Sequence, residues 1–367
     1  MCLLTSLHEC GMVARMSLEA ELAQYDFSFP ATRIAKTPAS PRDSAKLAVY
    51  DRATGAAIFD RFLHLDKHLP KGALLILNDT KVVPARIPCY LPTGGKVELL
   101  WLNNTGRHSL FFQALSPRTL SPGDTLRFGT LTLTVQEKNG SVYTFAHTGT
   151  SARFRTTMMK LGTTPIPPYI KGTTLSEREL RQEYQTVFAK HAGSAAAPTA
   201  SLHFTPRLLK KLNMRGFRVA YVTLHVGLGT FAPLTAKHLK SGKLHEEWYE
   251  IPPATARAIA RAKREGRAVI PVGTTALRTI ESAARTRKQR GATTLFLRPG
   301  DDFKVADGLI TNFHVPRSSL LMLVAALVGF RPGRRHADGR KKILALYRSA
   351  IRRGFRLFSF GDGMLIR

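Results

Sequence analysis

Five segments gather small, hydroxyl-bearing and imidazole side chains at the points where apolar runs stop: NDTKVVPAR (78 to 86), AAPTASLHF (196 to 204), TLHVGLGTF (223 to 231), VGTTALRTIES (272 to 282) and ITNFHVPRSSLL (310 to 321). His203, His225, His245 and His314 each close or follow such a run. Imidazole is the side chain whose ordinary pKa suits proton transfer near neutral pH, so these four are acid/base candidates. Their spacing fits no metal-ligand pattern, so no metal is expected. Taken singly, each is more often a hydrogen-bonded structural histidine. With 25 Asp and Glu against 55 Lys and Arg, carboxylates are scarce, and Asp79, Glu246, Glu247, Asp307 and Asp362 stand out as acids, bases or orienting groups. Salt bridging to the abundant arginine is the competing role.

In VGTTALRTIES a strand runs into Gly273, Thr274 and Thr275 and then a helix, which aims free N–H groups and hydroxyls at one point. Such a point suits a carboxylate, ribose or phosphate oxygen, although an ordinary threonine N-cap would read the same way. The glycines of TLHVGLGTF do not extend to G-x-G-x-x-G, because position 232 is alanine, so a dinucleotide loop is weakly supported. By itself AYVTLHVGLGTFAP (220 to 233) fits a strand delivering His225, a glycine loop or a core strand with a tight turn equally well.

These segments need elements to hold them. Short β-type runs fill the stretch from about Gly94 to Phe154: KVELLWL, HSLFFQAL, TLRFG, TLTLTVQEK, SVYTFAH and ARFRT. Turns at Pro122-Gly123-Asp124 and Asn139-Gly140 separate them, which predicts a small barrel or sandwich of about six strands. Elsewhere LLIL (74 to 77), RVAYVTLHV (218 to 226), AVIPV (268 to 272) and TLFL (294 to 297) alternate with helical patterns at 254 to 265 and 275 to 289, the signature of an α/β sheet covered by helices. The order implies a larger Rossmann-like, three-layer α/β domain over 18–88 and 162–367, interrupted by an inserted small β-barrel domain over 89–161. Hinges are expected near Pro88 and Pro165 to Pro168. Residues 1–17 are expected to be an N-terminal extension without signal-peptide character, with Met16 as an alternative start.

With 367 residues, 44% of them hydrophobic, the chain can bury a large core. The net charge of +30 points to a polyanionic partner. Basic clusters at 207 to 218, 257 to 267, 285 to 290 and above all 331 to 356 are candidate phosphate contacts, among them Arg331, Arg334, Arg335, Lys341 and Lys342. Cys2, Cys10 and Cys89 form no C-x-x-C pair, which disfavours a disulfide frame, a zinc ribbon and a cysteine-held iron–sulfur cluster and fits a reducing, cytoplasmic setting. LLMLVAAL (320 to 327) is well short of the ~20 residues of a membrane span and should be a buried helix.

Taken together, the wording and order of these segments resemble the S-adenosylmethionine:tRNA ribosyltransferase-isomerase family of queuosine biosynthesis. The matching stretches are LNDTKVVPARI, PIPPYI, EYQTVFAKHAGSAAAPTASLHF, VTLHVGLGTFAPL, LHEEWYEIP, VGTTALRTIESA, PGDDFKVADGLITNFHVPRSSLLMLVAALVG and FRLFSFGDGMLI, collinear from about Tyr25 to the C-terminus. The sequence departs from the family pattern at Ser201, where a glycine is expected, at Glu246, where serine is common, and at Arg298, where an aromatic usually stands.

The resemblance implies an α/β domain with a small β-barrel. It further implies that the ribosyl part of S-adenosylmethionine is transferred to 7-aminomethyl-7-deazaguanine in tRNA and isomerised to epoxyqueuosine, with adenine and methionine released. S-adenosylmethionine is then a consumed substrate, no other cofactor is expected, tRNA is the partner, and the enzyme is expected to act as a cytoplasmic monomer. The chemistry needs a base beside the sulfonium, an acid for departing adenine and donors for the ribose oxygens. His203, His225 and His314 are the proton-transfer candidates, with Asp79 or Asp307 orienting one of them. Asn78, Thr199, Gly227, Gly229, Thr230, Gly273, Thr274, Thr275 and Asn312 are the candidates for binding S-adenosylmethionine, and Arg86 and Arg278 could hold a carboxylate or a tRNA phosphate. A non-catalytic RNA-binding protein would share the charge and the barrel but leave the polar loops unexplained. A methyltransferase or radical enzyme would need motifs that are absent here.

Overall fold

The computed structural model describes residues 18–102, 110–227, 234–333 and 336–367. The first strands are β1 (Lys46–Tyr50), β2 (Ala57–Arg61), β3 (Leu74–Asn78) and β4 (Thr80–Val82). A closed barrel follows, of β5 (Arg86–Tyr90), β6 (Lys96–Trp101), β7 (Phe111–Leu115), β8 (Thr125–Phe128), β9 (Leu131–Asn139) and β10 (Val142–His147). The chain then adds β11 (His191–Ser194), β12 (Arg218–Leu224), β13 (Lys243–Glu250), β14 (Val269–Pro271), β15 (Arg290–Leu295), β16 (Leu309–Asn312) and β17 (Gly363–Ile366).

All five residues of β3 are buried, because the strand has a core on each side. Leu74 and Ile76 face one cluster with Leu277 and Ile280 of helix Thr274–Thr286 and with Leu321 to Val328 of helix Ser319–Gly329, which takes in all of LLMLVAAL but its first residue. Leu75 and Leu77 face the other, with Phe62 and with Leu208 and Leu212 of helix Pro206–Met214. Three layers result. The sheet order is β14-β3-β12-β13-β15: the first three strands are parallel, and β13 alone is reversed, pairing antiparallel with both β12 and β15. A second sheet, β16-β17-β1-β2, joins the first through a parallel bridge between Val272 and Ile310. The carboxyl ends of β12, β3, β14 and β16 therefore line up along one edge, where open α/β sheets bind ligands.

The barrel has its own core, including Ile87, Leu99, Phe112, Leu126, Leu133 and Phe145. ARFRT, expected as a strand, is part of helix Ser151–Leu161 instead. Thr150 caps it by accepting from the Arg153 N–H, and Phe154 and Met158, four residues apart, bury into the barrel core. The sixth strand is β5, which contains Pro88 opposite Glu98, so Pro88 stands within a strand rather than at a hinge. TLFL is shared between the end of β15 and the buried Phe296 and Leu297 that follow it. Among the described residues no helix is long and apolar enough to cross a membrane.

Candidate active site

The strand ends bring three of the five polar segments into contact. Asn78, fully buried at the end of β3, accepts from the N–H groups of Thr80 and Leu224 and donates to the Leu224 carbonyl and to Thr275 Oγ1. Its amide is thus used in fixing β3, β12 and helix Thr274–Thr286 to one another, a positioning task. Next to it Asp79 Oδ1 accepts from Thr223 Oγ1 at 2.7 Å, and Oδ2 lies 3.6 Å from His191 Nε2. Burial raises the Asp79 carboxyl above its ordinary range, opposed by the Thr223 hydrogen bond and the charges of His191 and Lys190.

His225 follows β12. Its ring stacks on Trp248 with centroids 5.4 Å apart, and Nδ1 lies 2.8 Å from Thr80 Oγ1. Burial first, then the neighbouring His191, pushes its pKa down to about 4, so the ring is neutral at pH 7. Thr80 Oγ1 reaches the His191 carbonyl at 3.5 Å. With the hydroxyl proton pointing there, Thr80 accepts from His225 Nδ1–H and leaves a lone pair on Nε2, the form of a general base.

A second cluster spans β16 and the turn Thr199–His203. Thr199 Oγ1 donates to Asn312 Oδ1 at 2.8 Å, and Asn312 Nδ2 lies 3.4 Å from His203 Nε2. The His203 ring is buried and stacked on Phe62 at 4.1 Å, and desolvation, with Arg356 and Arg42 nearby, pushes its pKa down to about 3. His314 lies beyond β16 with Nε2 2.9 Å from Thr311 Oγ1, and burial lowers its pKa to about 4. Both are neutral imidazoles held by neighbouring side chains. Between the clusters Gly273 has φ +87°, a conformation that favours glycine, and its N–H donates to the Ile310 carbonyl while Thr274 and Thr275 open the helix.

At the outer side of the same edge, Arg278 Nη1 pairs with Glu247, and the other Glu247 oxygen lies 3.4 Å from the Gly227 N–H. Gly229 and Thr230 lie outside the described residues. Ser201, where the family pattern expects glycine, is fully buried, and its hydroxyl lacks a partner among the described residues.

Other expected residues stand elsewhere. Asp307 precedes β16 at the amino-terminal end of the strands, where it pairs with Lys263 at 2.8 Å and accepts from the Val269 N–H, so it orients none of the three histidines. Its carboxylate fixes the start of β14 instead. Arg86 is engaged by Glu98 and the Ile166 carbonyl. Arg331 donates to the carbonyls of Val328, Phe330 and Arg52, closing a helix end rather than facing solvent. Lys341 is exposed and Lys342 partly so, and Arg334 and Arg335 lie outside the described residues. Asp362 is buried on the N–H groups of Lys46 and Arg356, and Glu246 is exposed. Among the described residues no group of three or more His, Cys, Asp and Glu could hold a metal ion.

Thr80, His191, Thr223 and Trp248 were not singled out from the sequence. Thr80 and Thr223 lie inside two of the five segments, but a lone hydroxyl carries no spacing signal, and Trp248 reaches His225 only through the pairing of β13 with β12.

Residues 22–366 match the family model described as "Queuosine biosynthesis protein". The S-adenosylmethionine:tRNA ribosyltransferase-isomerase of Heliobacterium modesticaldum is 42% identical over 357 residues, covering 94% of this chain and 99% of the relative. The protein of the same name from Gloeobacter violaceus is 43% identical over 356 residues, 93% of this chain and 94% of its own. The crystal structure of S-adenosylmethionine tRNA ribosyltransferase from Thermotoga maritima superimposes with a TM-score of 0.53 at 29% identity, over 94% of this chain and 100% of that one. With near-complete coverage from both directions and the polar segments assembled at one sheet edge, the chain belongs to the queuosine biosynthesis protein family.

Proposed function

We infer that this chain transfers the ribosyl moiety of S-adenosylmethionine to 7-aminomethyl-7-deazaguanine in tRNA and isomerises it to give epoxyqueuosine, releasing adenine and methionine. Relatives more than 40% identical over more than nine-tenths of the chain bear the name of that activity. The observation in the structure that carries the chemistry is the neutral His225, tethered through Nδ1 to Thr80 beside the Asp79 carboxylate at the strand ends.

The proposed division of labour follows from that geometry. His225 Nε2 takes the proton beside the sulfonium, a step an imidazole can perform only while unprotonated. Asp79, with its carboxyl raised by burial, is suited to hold or pass a proton near the departing adenine. The N–H groups and hydroxyls of Thr274 and Thr275, at the helix start, offer donors to substrate oxygens. His203 and Asn312 hold the turn Thr199–His203 against the end of β16. S-adenosylmethionine is consumed as a substrate, no other cofactor is invoked, and the protein is proposed to act as a monomer in the cytoplasm.

Incubation of the purified protein with S-adenosylmethionine and tRNA carrying the precursor base should yield adenine and methionine in equal amounts and a nucleoside of the epoxyqueuosine mass. Neither product from an RNA-binding preparation would point to a non-catalytic binder, and S-adenosylhomocysteine with a methylated tRNA would point to a methyltransferase.

A further inference from the structure

One buried charge at the site edge is incompletely satisfied. The Arg278 and Glu247 side chains are 8% and 2% exposed. Arg278 Nη1 is on Glu247 and Nε donates to the Leu295 carbonyl at 3.1 Å, but among the described residues the buried Nη2 has no partner. An unmade hydrogen bond costs more on a buried charged group than on a neutral one, a cost that a ligand oxygen would remove.

The position of this nitrogen is set by three elements. Leu224 pairs with Tyr249, so the antiparallel register carries Glu247 to the end of β12, where it meets the Gly227 N–H. Leu295 ends β15, and Arg278 lies one turn into the helix opened by Thr274 and Thr275. All of these lie on the edge that bears His225.

Charge balance decides what kind of oxygen fits. The single positive charge of Arg278 is already neutralised by Glu247. A carboxylate or phosphate brought to Nη2 would leave a net negative charge buried beside Glu247, with desolvation and repulsion both opposing it. A hydroxyl carries no charge and matches both partners, because its oxygen accepts from Nη2 while its proton faces the Glu247 carboxylate.

Resting on the reaction inferred above, we propose that Arg278 Nη2 donates to a hydroxyl of the ribosyl group of S-adenosylmethionine, with Glu247 as the positioning residue that sets the guanidinium and cancels its charge. The methionine carboxylate is held elsewhere. Arg278 then selects the sugar that is transferred, rather than the amino acid that leaves.

The test compares dissociation constants, by calorimetry, for S-adenosylhomocysteine, 5′-methylthioadenosine, which lacks the amino-acid carboxylate, and 2′,3′-dideoxy-5′-methylthioadenosine. Arg278→Lys keeps the charge opposite Glu247 but loses Nη2, and should weaken the first two ligands about tenfold or more while leaving the dideoxy compound nearly unaffected. Glu247→Gln leaves Arg278 unbalanced and should shift preference toward the carboxylate-bearing ligand, whereas a merely structural Glu247 would weaken all three alike. If Arg278→Lys does not fold, the wild-type protein carries the test: removal of the sugar hydroxyls must cost about tenfold or more. A loss confined to S-adenosylhomocysteine, an equal loss on the dideoxy compound, or no binding of either parent nucleoside by the wild-type protein overturns the assignment. Absence of adenine release by a wild-type protein that still shows the hydroxyl contrast would reject the reaction and leave the contact standing.

Discussion

At the scale of single residues, three histidines that look alike in the sequence take up different surroundings. His203 is buried and His314 half-buried, engaged by Asn312 and Thr311 respectively, whereas among the described residues His225 Nε2 has no hydrogen-bond partner. His225→Ala should keep the circular dichroism spectrum and lose adenine release, and wild-type turnover in that variant would remove His225 from the mechanism. Thr80→Val deletes the acceptor of Nδ1–H at nearly constant volume and should lower kcat about tenfold or more with a small change in Tm. Since the pKa of His225 lies at about 4, kcat/KM should lose its base as pH falls through about 4 and be flat in this group near neutrality. An acid limb at the ordinary histidine value, abolished by His225→Ala, would contradict the half-buried, neutral ring.

At the scale of elements, the site depends on side chains that tie strand ends and loops together. Asn78 joins β3, β12 and the helix start, and Asn78→Ala should cost about 3 kcal/mol, read as a lower urea midpoint, because it strands several buried partners. Glu281, fully buried, accepts from the N–H groups of Lys304, Val305 and Ala306 and pairs with Arg285, fixing the segment that leads to β16. The helices around this sheet were legible because caps and periodicity are local: Gly266 has φ +64° just past helix Pro253–Arg264, as a glycine after a helix predicts. ARFRT was misread because its alternation over five residues also fits one helical face, and only the barrel core selects between them.

At the scale of the whole molecule, charge and pH dominate. The net charge of +30 predicts steeply salt-dependent tRNA binding, falling as monovalent salt rises. Lys341→Glu with Lys342→Glu should raise the KM for tRNA and leave that for S-adenosylmethionine unchanged. Arg331→Ala should lower Tm instead, since its guanidinium is spent on backbone carbonyls. Arg257, Arg261 and Arg264 line a concavity on one exposed helix face, and salt slopes of charge-reversed variants would show whether RNA reaches it. Folding lowers the pKa values of His203, His225 and His314 from 6.5 to between about 3 and about 4. The unfolded chain therefore binds more protons below pH 6.5, and stability should be full above that pH and fall as pH drops toward 4. Melting curves between pH 7 and 5 measure this, and His203→Gln should reduce the slope by about one proton.

The family, the buried character of the central strands, the barrel turns and the segments that carry polar groups are legible in one dimension, because periodicity, turn chemistry and long motifs are written along the chain. Which polar groups meet is settled by the folding of the sheet. Asp79 and Asp307 are equally plausible partners for a histidine in one dimension, but β3 and β14 are parallel: Asp79 follows the carboxyl end of the first, where it meets His191 rather than His203, His225 or His314, while Asp307 fixes the amino end of the second. Trp248 and Glu247 reach His225 and Gly227 through antiparallel pairing of β13 with β12. Strand direction and register are collective properties of the folded sheet, so a site built at one of its edges is fixed only when the sheet forms.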